Sequence, residues 1–324
     1  MDVLLVHNPD AGSANPSGEE LVRMLESRGH RVGYCPSDDP RWEAELESGL
    51  AGRVVAIAGG DGTVRKVFKS LARMASAAAQ FPALLLPLGT ANNIARSVGW
   101  NGSLSDVLDS ISSADLDSFH FHTLVTGGTV DCFFEGAGVG VFAEFIRMAN
   151  IHPNRIDLIA HGSQGKDRDD CSLAWLAARL DSFRLVVDAR DAAIDGKFLM
   201  AEAMNLPRIG RGIEMGTPIS LEPDVTELVL VPECRRDELV QYFEELGANH
   251  CRPFPAIRLS IRGPVILSGE LGPVWHVDDE GMEGSTGSLP QLLIRRSETP
   301  IRILRPANSS NEPEMLPPHC PGVT

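Results

Sequence analysis

Three glycines surround one carboxylate in Gly59-Gly60-Asp61-Gly62-Thr63, directly after the apolar run Val54 to Ala58. Apolar residues then recur at Val64, Val67, Phe68, Leu71, Ala75 and Ala78, the spacing of an amphipathic helix. The glycines therefore sit where a buried strand turns into a helix. Such a turn aims backbone N–H groups, and the positive end of a helix dipole, at whatever lies above it. Glycine lets that backbone approach a phosphate closely, because no Cβ intervenes. A tight turn with Thr63 as helix N-cap accounts for two of the glycines without any ligand. The third glycine and the carboxylate ask for more. A carboxylate among phosphate-cradling amides repels phosphate unless Mg²⁺ lies between them.

A second stretch, Pro87-Leu88-Gly89-Thr90-Ala91-Asn92-Asn93-Ile94-Ala95-Arg96, follows about one strand–helix unit later. GGDGT is shared by lipid kinases of the diacylglycerol/sphingosine kinase type, NAD kinases and, loosely, phosphofructokinases. The second stretch discriminates among them. It closely resembles the P-x-GT-x-N-x-x-A-R segment of the diacylglycerol kinase catalytic domain and of the bacterial lipid kinases built on it, where NAD kinases carry a glycine-phenylalanine turn. The resemblance implies ATP across the GGDGT turn, with Thr63 and Thr90 donating hydroxyls and backbone N–H groups to phosphates. Gly59, Gly60, Gly62, Gly89 and Asn92 complete that cradle, joined by Asn8 in an Asn-Pro turn similar to the family's. Mg²⁺ would bridge the phosphate oxygens to acidic groups, Asp61 being the first candidate.

The third constellation, His276-Val277-Asp278-Asp279-Glu280, lies where the family carries V-DG-E. Phosphoryl transfer to a hydroxyl needs a positioned carboxylate to accept the proton. Carried over, Asp278 matches the family's Asp and Glu280 its Glu. Either is a candidate base, since two carboxylates two residues apart on an extended strand face the same side. An exposed acidic turn is the reading without a ligand. The resemblance further implies a lipid alcohol acceptor, such as diacylglycerol or a sphingoid base, in the cleft between two domains.

Four departures stand beside these matches. Asn93 occupies a position where the family has Asp, and Lys66 one where it has Glu. Asp279 replaces the Gly of V-DG-E, which removes freedom to adopt a positive φ. The loop after Pro223, Asp224-Val225-Thr226, is short and lacks the glycine of the family's metal-binding loop. They leave two rival readings open: a kinase for a soluble alcohol, and a nucleotide-binding regulator without phosphoryl transfer.

The elements that must position these residues alternate in the first part of the chain. Strands are expected at Val3–His7, Arg31–Cys35, Val54–Ala58 and Leu84–Leu88, with helices between; Ser17 and Glu20 form a capping box for the first helix. Repeated βα units imply a parallel sheet covered on both faces, with ligands beyond the carboxyl ends of its strands. After about Leu116 short strands dominate, beginning with Phe119–Val125, where His120 and His122 alternate. That pattern suggests a β-sandwich with helical inserts near Val141–Asn150 and Ser172–Asp181. The glycine-rich Glu135-Gly136-Ala137-Gly138-Val139-Gly140 looks like a dinucleotide loop but lacks a surrounding βαβ unit. It resembles the turn that opens the second domain's helix in the lipid kinases. Arg208 and Arg211 are candidates for touching an anionic headgroup. The expectation is thus an α/β nucleotide-binding domain over 1–116 and a β-sandwich domain over 117–305, whose last strands are free to return to the first. A disordered tail over 306–324 follows.

Composition bounds the partners. The chain has 324 residues, 43% of them hydrophobic and 23% charged, a globular balance. No apolar run approaches the roughly 20 residues needed to cross a bilayer, and the start lacks a basic leader segment. Six scattered cysteines fit reduced thiols in the cytoplasm. Nine histidines without HExxH or a Cys/His cluster argue against zinc. The net charge of −15 argues against nucleic acid and against adsorption to anionic membranes. The expectation is therefore a cytoplasmic enzyme admitting transient peripheral membrane contact and a homo-oligomer.

Overall fold

The computed structural model describes the chain apart from residues 12–15, 49–52, 75–80, 152–167, 211–212, 217–224, 247–251, 285–290 and 308–324. The expected tail from 308 onward, the short loop after Pro223 as far as Asp224, Arg211, Ala75 and Ala78 lie outside the described residues. The chain divides into two compact units, one of residues 1–121, 210–212 and 297–312 and another holding the rest.

The first unit contains β1 (Asp2–His7), α1 (Gly18–Glu26), β2 (Arg31–Pro36), α2 (Arg41–Glu47), β3 (Arg53–Gly59), α3 (Asp61–Arg73), β4 (Ala83–Pro87), α4 (Asn93–Ser97), α5 (Leu104–Ser110) and β5 (Asp115–Phe119). Its six-stranded sheet has the order β2-β1-β3-β4-β19-β5, β19 being the last strand of the chain (Ile301–Arg305). Strands β1 to β4 run parallel, β19 runs parallel to β4, and β5 closes the edge antiparallel. Val3–Val6, Val54–Ala58 and Leu84–Leu86 are buried, as two-sided coverage requires. Leu21 and Leu25 of α1 and Val64, Val67, Phe68 and Leu71 of α3 supply the covering faces. The capping box forms: the Ser17 hydroxyl accepts from the Glu20 amide, and the Glu20 carboxylate accepts from the Ser17 amide at 2.7 Å.

The second unit contains β6 (His122–Thr126), β7 (Thr129–Phe133), β8 (Gly136–Gly140), α6 (Val141–Ile151), α7 (Arg168–Arg179), β9 (Phe183–Ala189), β10 (Ala192–Met204), β11 (Arg208–Ile209), β12 (Ile213–Glu214), β13 (Val225–Pro232), α8 (Arg236–Glu245), β14 (Ile257–Arg262), β15 (Val265–Gly269), β16 (Val274–Val277), β17 (Glu280–Glu283) and β18 (Leu292–Arg296). Eleven of these strands make one antiparallel sheet, β17-β16-β8-β10-β9-β15-β18-β6-β7, from which β13 and β14 branch at β10. One face encloses a core that includes Phe133, Leu185, Leu228, Leu267 and Ile294. The other packs Leu199, Met200 and Val229 against Phe142 of α6, Leu173 of α7 and Phe243 of α8. The architecture is an α/β unit with a mostly parallel sheet, followed by an antiparallel β-sandwich unit with helical inserts.

One expected strand divides. Phe119–Val125 breaks at His120 and Phe121, so β5 ends in the first sheet and β6 begins in the second. The two histidines therefore do not share a strand face. His122 is instead buried, with Nδ1 2.9 Å from Asn205 Oδ1 and Nε2 3.0 Å from Thr226 Oγ1.

Candidate functional site

In the first sheet β1, β3 and β4 are neighbours, and the turns beyond their carboxyl ends carry Asn8, Gly59–Thr63 and Gly89–Asn92. The strand order reverses at the β1/β3 pair, with β2 on one side and β4 on the other, which is the switch point where such sheets bind ligands. Asn8 ties itself to the middle strand, its amide donating to the Ala58 carbonyl at 2.9 Å. Its side chain caps its own turn, Oδ1 accepting from the Asp10 amide at 3.1 Å. The preceding residue, His7, is buried, and that burial lowers its imidazole pKa.

Helix α3 begins three residues earlier than Thr63 as N-cap would place it. The N-cap is Gly60, extended at φ −91°, whose carbonyl accepts from the Thr63 and Val64 amides. Thr63 is buried against the end of β3: a Cβ on Gly59 would lie 2.5 Å from its Oγ1. Gly60 and Gly89 are back to back, and a Cβ on Gly89 would collide with the Gly60 Cα. Part of the glycine demand thus comes from two turns packed against each other, in addition to any ligand. Gly62 and Thr90 are exposed.

Asp61 joins the turns. Its Oδ2 accepts from the Asn93 amide at 3.0 Å and its Oδ1 from the Ile94 amide at 2.9 Å. The carboxylate therefore satisfies donors that α4 leaves unpaired at its start. Asn92 clasps the second turn from within: Oδ1 accepts from the Gly89 amide at 2.9 Å, and Nδ2 donates to the Gly89 carbonyl at 2.7 Å. It adopts φ 52°, a left-handed conformation Asn tolerates better than most. Asn93, which departs from the family's Asp, is buried and donates from Nδ2 to the Gly210 carbonyl at 2.7 Å within the same unit. A carboxylate there would repel that carbonyl. Lys66, the other departure in this unit, donates to the Ser37 carbonyl at 2.6 Å and lies over the Trp42 ring.

The third constellation belongs to the second unit and is a tight hairpin. Val277 pairs with Glu280, leaving Asp278 and Asp279 as a two-residue loop between β16 and β17. Asp278 and Glu280 consequently do not share one face of a strand. Asp278 is buried, and its carboxylate accepts from the amides of Phe134 (3.1 Å), Glu135 (2.8 Å) and Gly136 (3.2 Å). Glu280 is exposed. Among the described residues, Asn92 and Asp278 are the non-glycine residues with positive φ, Asp278 at 53°. Primed hairpin loops require this at their first residue. The positive φ falls on Asp278 rather than on Asp279, so Asp279 in place of the family's Gly meets no demand for a left-handed backbone. Arg208 is paired with Glu214 at 2.6 Å.

Sequence reasoning passed over one buried residue beside this hairpin, Glu202. Its signal was a lone carboxylate in the apolar run Leu199-Met200-Ala201-Glu202-Ala203-Met204. Among the described residues, no group of three or more His, Cys, Asp or Glu is placed to hold a metal ion.

Residues 2–124 match the diacylglycerol kinase catalytic domain. The match ends close to the end of the first unit and takes in both turns that Asp61 joins. A relative named "Probable diacylglycerol kinase 3", from Caenorhabditis elegans, is 28% identical over 124 residues, 35% of this chain and 15% of that protein. The crystal structure of a diacylglycerol kinase from Bacillus anthracis str. Sterne superposes with a TM-score of 0.64, covering 94% of this chain and 96% of its own. Identity to it is 12%, so it speaks for the fold. The second unit, outside the family match, is thereby similar in fold to a solved diacylglycerol kinase.

Proposed function

We propose that this protein is an ATP-dependent lipid kinase, transferring the γ-phosphoryl group to the hydroxyl of a lipid alcohol such as diacylglycerol or a sphingoid base. The observation that carries the reading is the Asp61 bridge, which makes the GGDGT and GTANN turns one cradle at a sheet switch point. In this reading the N-terminal end of α3 and the exposed Thr90 receive the nucleotide phosphates, while Asn8, Asn92 and the glycines shape the turns beneath them. Magnesium fits as an ion carried in on the nucleotide: it keeps phosphate and water ligands and needs few carboxylates. Asp61 is the candidate carboxylate, since each of its oxygens retains a second lone pair.

Glu280 is the residue assigned to the base. It is exposed, whereas the Asp278 carboxylate is buried and already accepts from three amides. Asp278 then sets the loop that presents Glu280. The reading carries a peripheral, cytoplasmic location with it.

Transfer of radiolabel from γ-labelled ATP to a panel of diacylglycerols, sphingoid bases and soluble alcohols tests this. A labelled lipid product is expected, and Glu280→Gln should lower kcat by about 10²–10⁴-fold, with ATP-dependent thermal stabilisation unchanged. Label appearing only in a soluble alcohol moves the acceptor class. No transfer to any alcohol, with ATP binding intact, leaves a nucleotide-binding regulator.

A further inference from the structure

Across strand β8, the second unit's sheet holds a buried titratable pair that neither the cradle nor the base accounts for. Glu202 of β10 and His276 of β16 are both fully buried, and Nε2 of the histidine lies 2.8 Å from Oε2 of the glutamate. Their strands are not neighbours. Strand β8 runs between them, with Gly138 in register with both Glu202 and His276. A Cβ on Gly138 would collide with the Glu202 carboxylate, so the glycine is what allows the side chain to cross. The glycine-rich stretch singled out in the sequence thus has a local purpose. Alternation along β10 puts Glu202 on the side of Met200 and Met204, the face covered by α6. The α6 backbone presses on that face where a Cβ on Gly281 would lie 2.9 Å from the Arg147 nitrogen. Arg147 itself pairs with Glu144 at 2.8 Å.

The other ring nitrogen, Nδ1, is 2.9 Å from the Asp278 carbonyl. A carbonyl only accepts, so Nδ1 carries a hydrogen in every protonation state of the pair. Nε2 and Oε2 share the remaining proton. Burial raises the Glu202 pKa; burial lowers that of His276, but the glutamate charge and its hydrogen bonds outweigh this and raise it. The second glutamate oxygen, Oε1, is buried without a hydrogen-bond partner. Apolar residues of similar volume would fill this space without desolvating two titratable groups, and such replacements are often neutral or stabilising.

We propose that Glu202 and His276 are positioning residues that hold the Asp278–Asp279 loop, and with it Glu280, through the Nδ1–H···O=C bond to Asp278. The loop is held at four groups: the Asp278 carboxylate by three amides, its amide by the Gly136 carbonyl at 2.8 Å, its carbonyl by His276, and the Asp279 carbonyl by Asn150 Nδ2 at 3.2 Å. Glu202 fixes the ring by occupying its far nitrogen, as a partner on one nitrogen sets the orientation of the other. The catalytic consequence rests on the kinase reading; the tether does not.

The test compares Glu202→Gln with the double variant Glu202→Met/His276→Phe. In the first, the Gln amide donates to a neutral Nε2 and the Nδ1–H tether survives, so loop and kcat should stay near wild type. In the second, the tether is gone while volume is kept. Amide hydrogen exchange across 134–136 and 278–280 should accelerate, and kcat should fall about 10²-fold with the KM for ATP unchanged. Unchanged exchange in the double variant overturns the tether. Faster exchange with an unchanged kcat overturns its catalytic use. A Gln variant as impaired as the double variant shows that charge, rather than the tether, matters, and also overturns the proposal. If the double variant does not fold, the ¹⁵N spectrum of the wild-type His276 ring decides: an unprotonated Nδ1 removes the tether. A wild type that transfers no phosphate to any alcohol fails the kinase reading alone, because exchange and the ring spectrum still judge the loop.

Discussion

Asp61 shows how one side chain can serve fold and ligand together. Its carboxylate accepts two amides at the start of α4, and removing it strands both donors in a buried setting. Asp61→Ala should therefore cost about 1–3 kcal/mol of stability, seen as a lower melting temperature. The bridge also predicts that nucleotide-dependent stabilisation is lost even when EDTA removes divalent ions, since the cradle itself comes apart. If Asp61 served the metal alone, the variant would respond normally to nucleotide in EDTA. The residue was legible from its setting among three glycines. Its partners were not, because they are backbone amides 32 and 33 positions away and leave no trace in side-chain type. Asn92 was legible as a motif residue in the same way, while its left-handed φ and its grip on Gly89 emerge only once the turn is folded.

At the scale of elements, the close approach of the β3–α3 and β4–α4 turns sets different tolerances for two glycines of the same motif set. A methyl on Gly60 would meet the Gly89 Cα at 3.1 Å, a contact that a small shift relieves. A methyl on Gly89 would overlap the Gly60 Cα outright and crowd Asn92 Oδ1 at 2.9 Å. Backbone cannot rotate away as a side chain can. Overpacking of this kind costs typically about 1–3 kcal/mol, occasionally more. Gly89→Ala should fall at or beyond the top of that range and Gly60→Ala near the bottom, measured by urea unfolding. Equal losses would mean that the turns are not packed back to back. The βα alternation was readable because β1, β3 and β4 carry unbroken apolar runs and α1 and α3 are amphipathic. The break between β5 and β6 was not, since Phe119-His120-Phe121-His122 alternates straight across it and no Gly or Pro marks the place where the chain leaves one sheet for another. The hairpin at Asp278 was hidden for a related reason: a loop of two acidic residues lacks the usual Asn-Gly or Asp-Gly signal.

For the whole molecule the governing quantity is charge. There are 29 basic and 44 acidic residues, and 29 − 44 gives −15. An anionic bilayer surface attracts basic segments by about 1 kcal/mol per Lys or Arg near it, and correspondingly repels an acidic protein. Screening limits that repulsion to about 8 Å at physiological ionic strength. Contact with a bilayer must then rest on apolar side chains rather than on charge. Trp175 and Val130 are exposed at 38% and 58%, and apolar groups of this kind insert into the interface without regard to headgroup sign. Among the described residues no helix is long and apolar enough to cross a membrane. Co-sedimentation with zwitterionic vesicles should therefore be weak and nearly independent of salt. Adding phosphatidylserine should weaken it further at low salt, and raising the salt should restore it by screening the repulsion. Tight adsorption to phosphatidylserine vesicles that salt abolishes would have the opposite sign. It would mean that a local basic surface overrides the net charge.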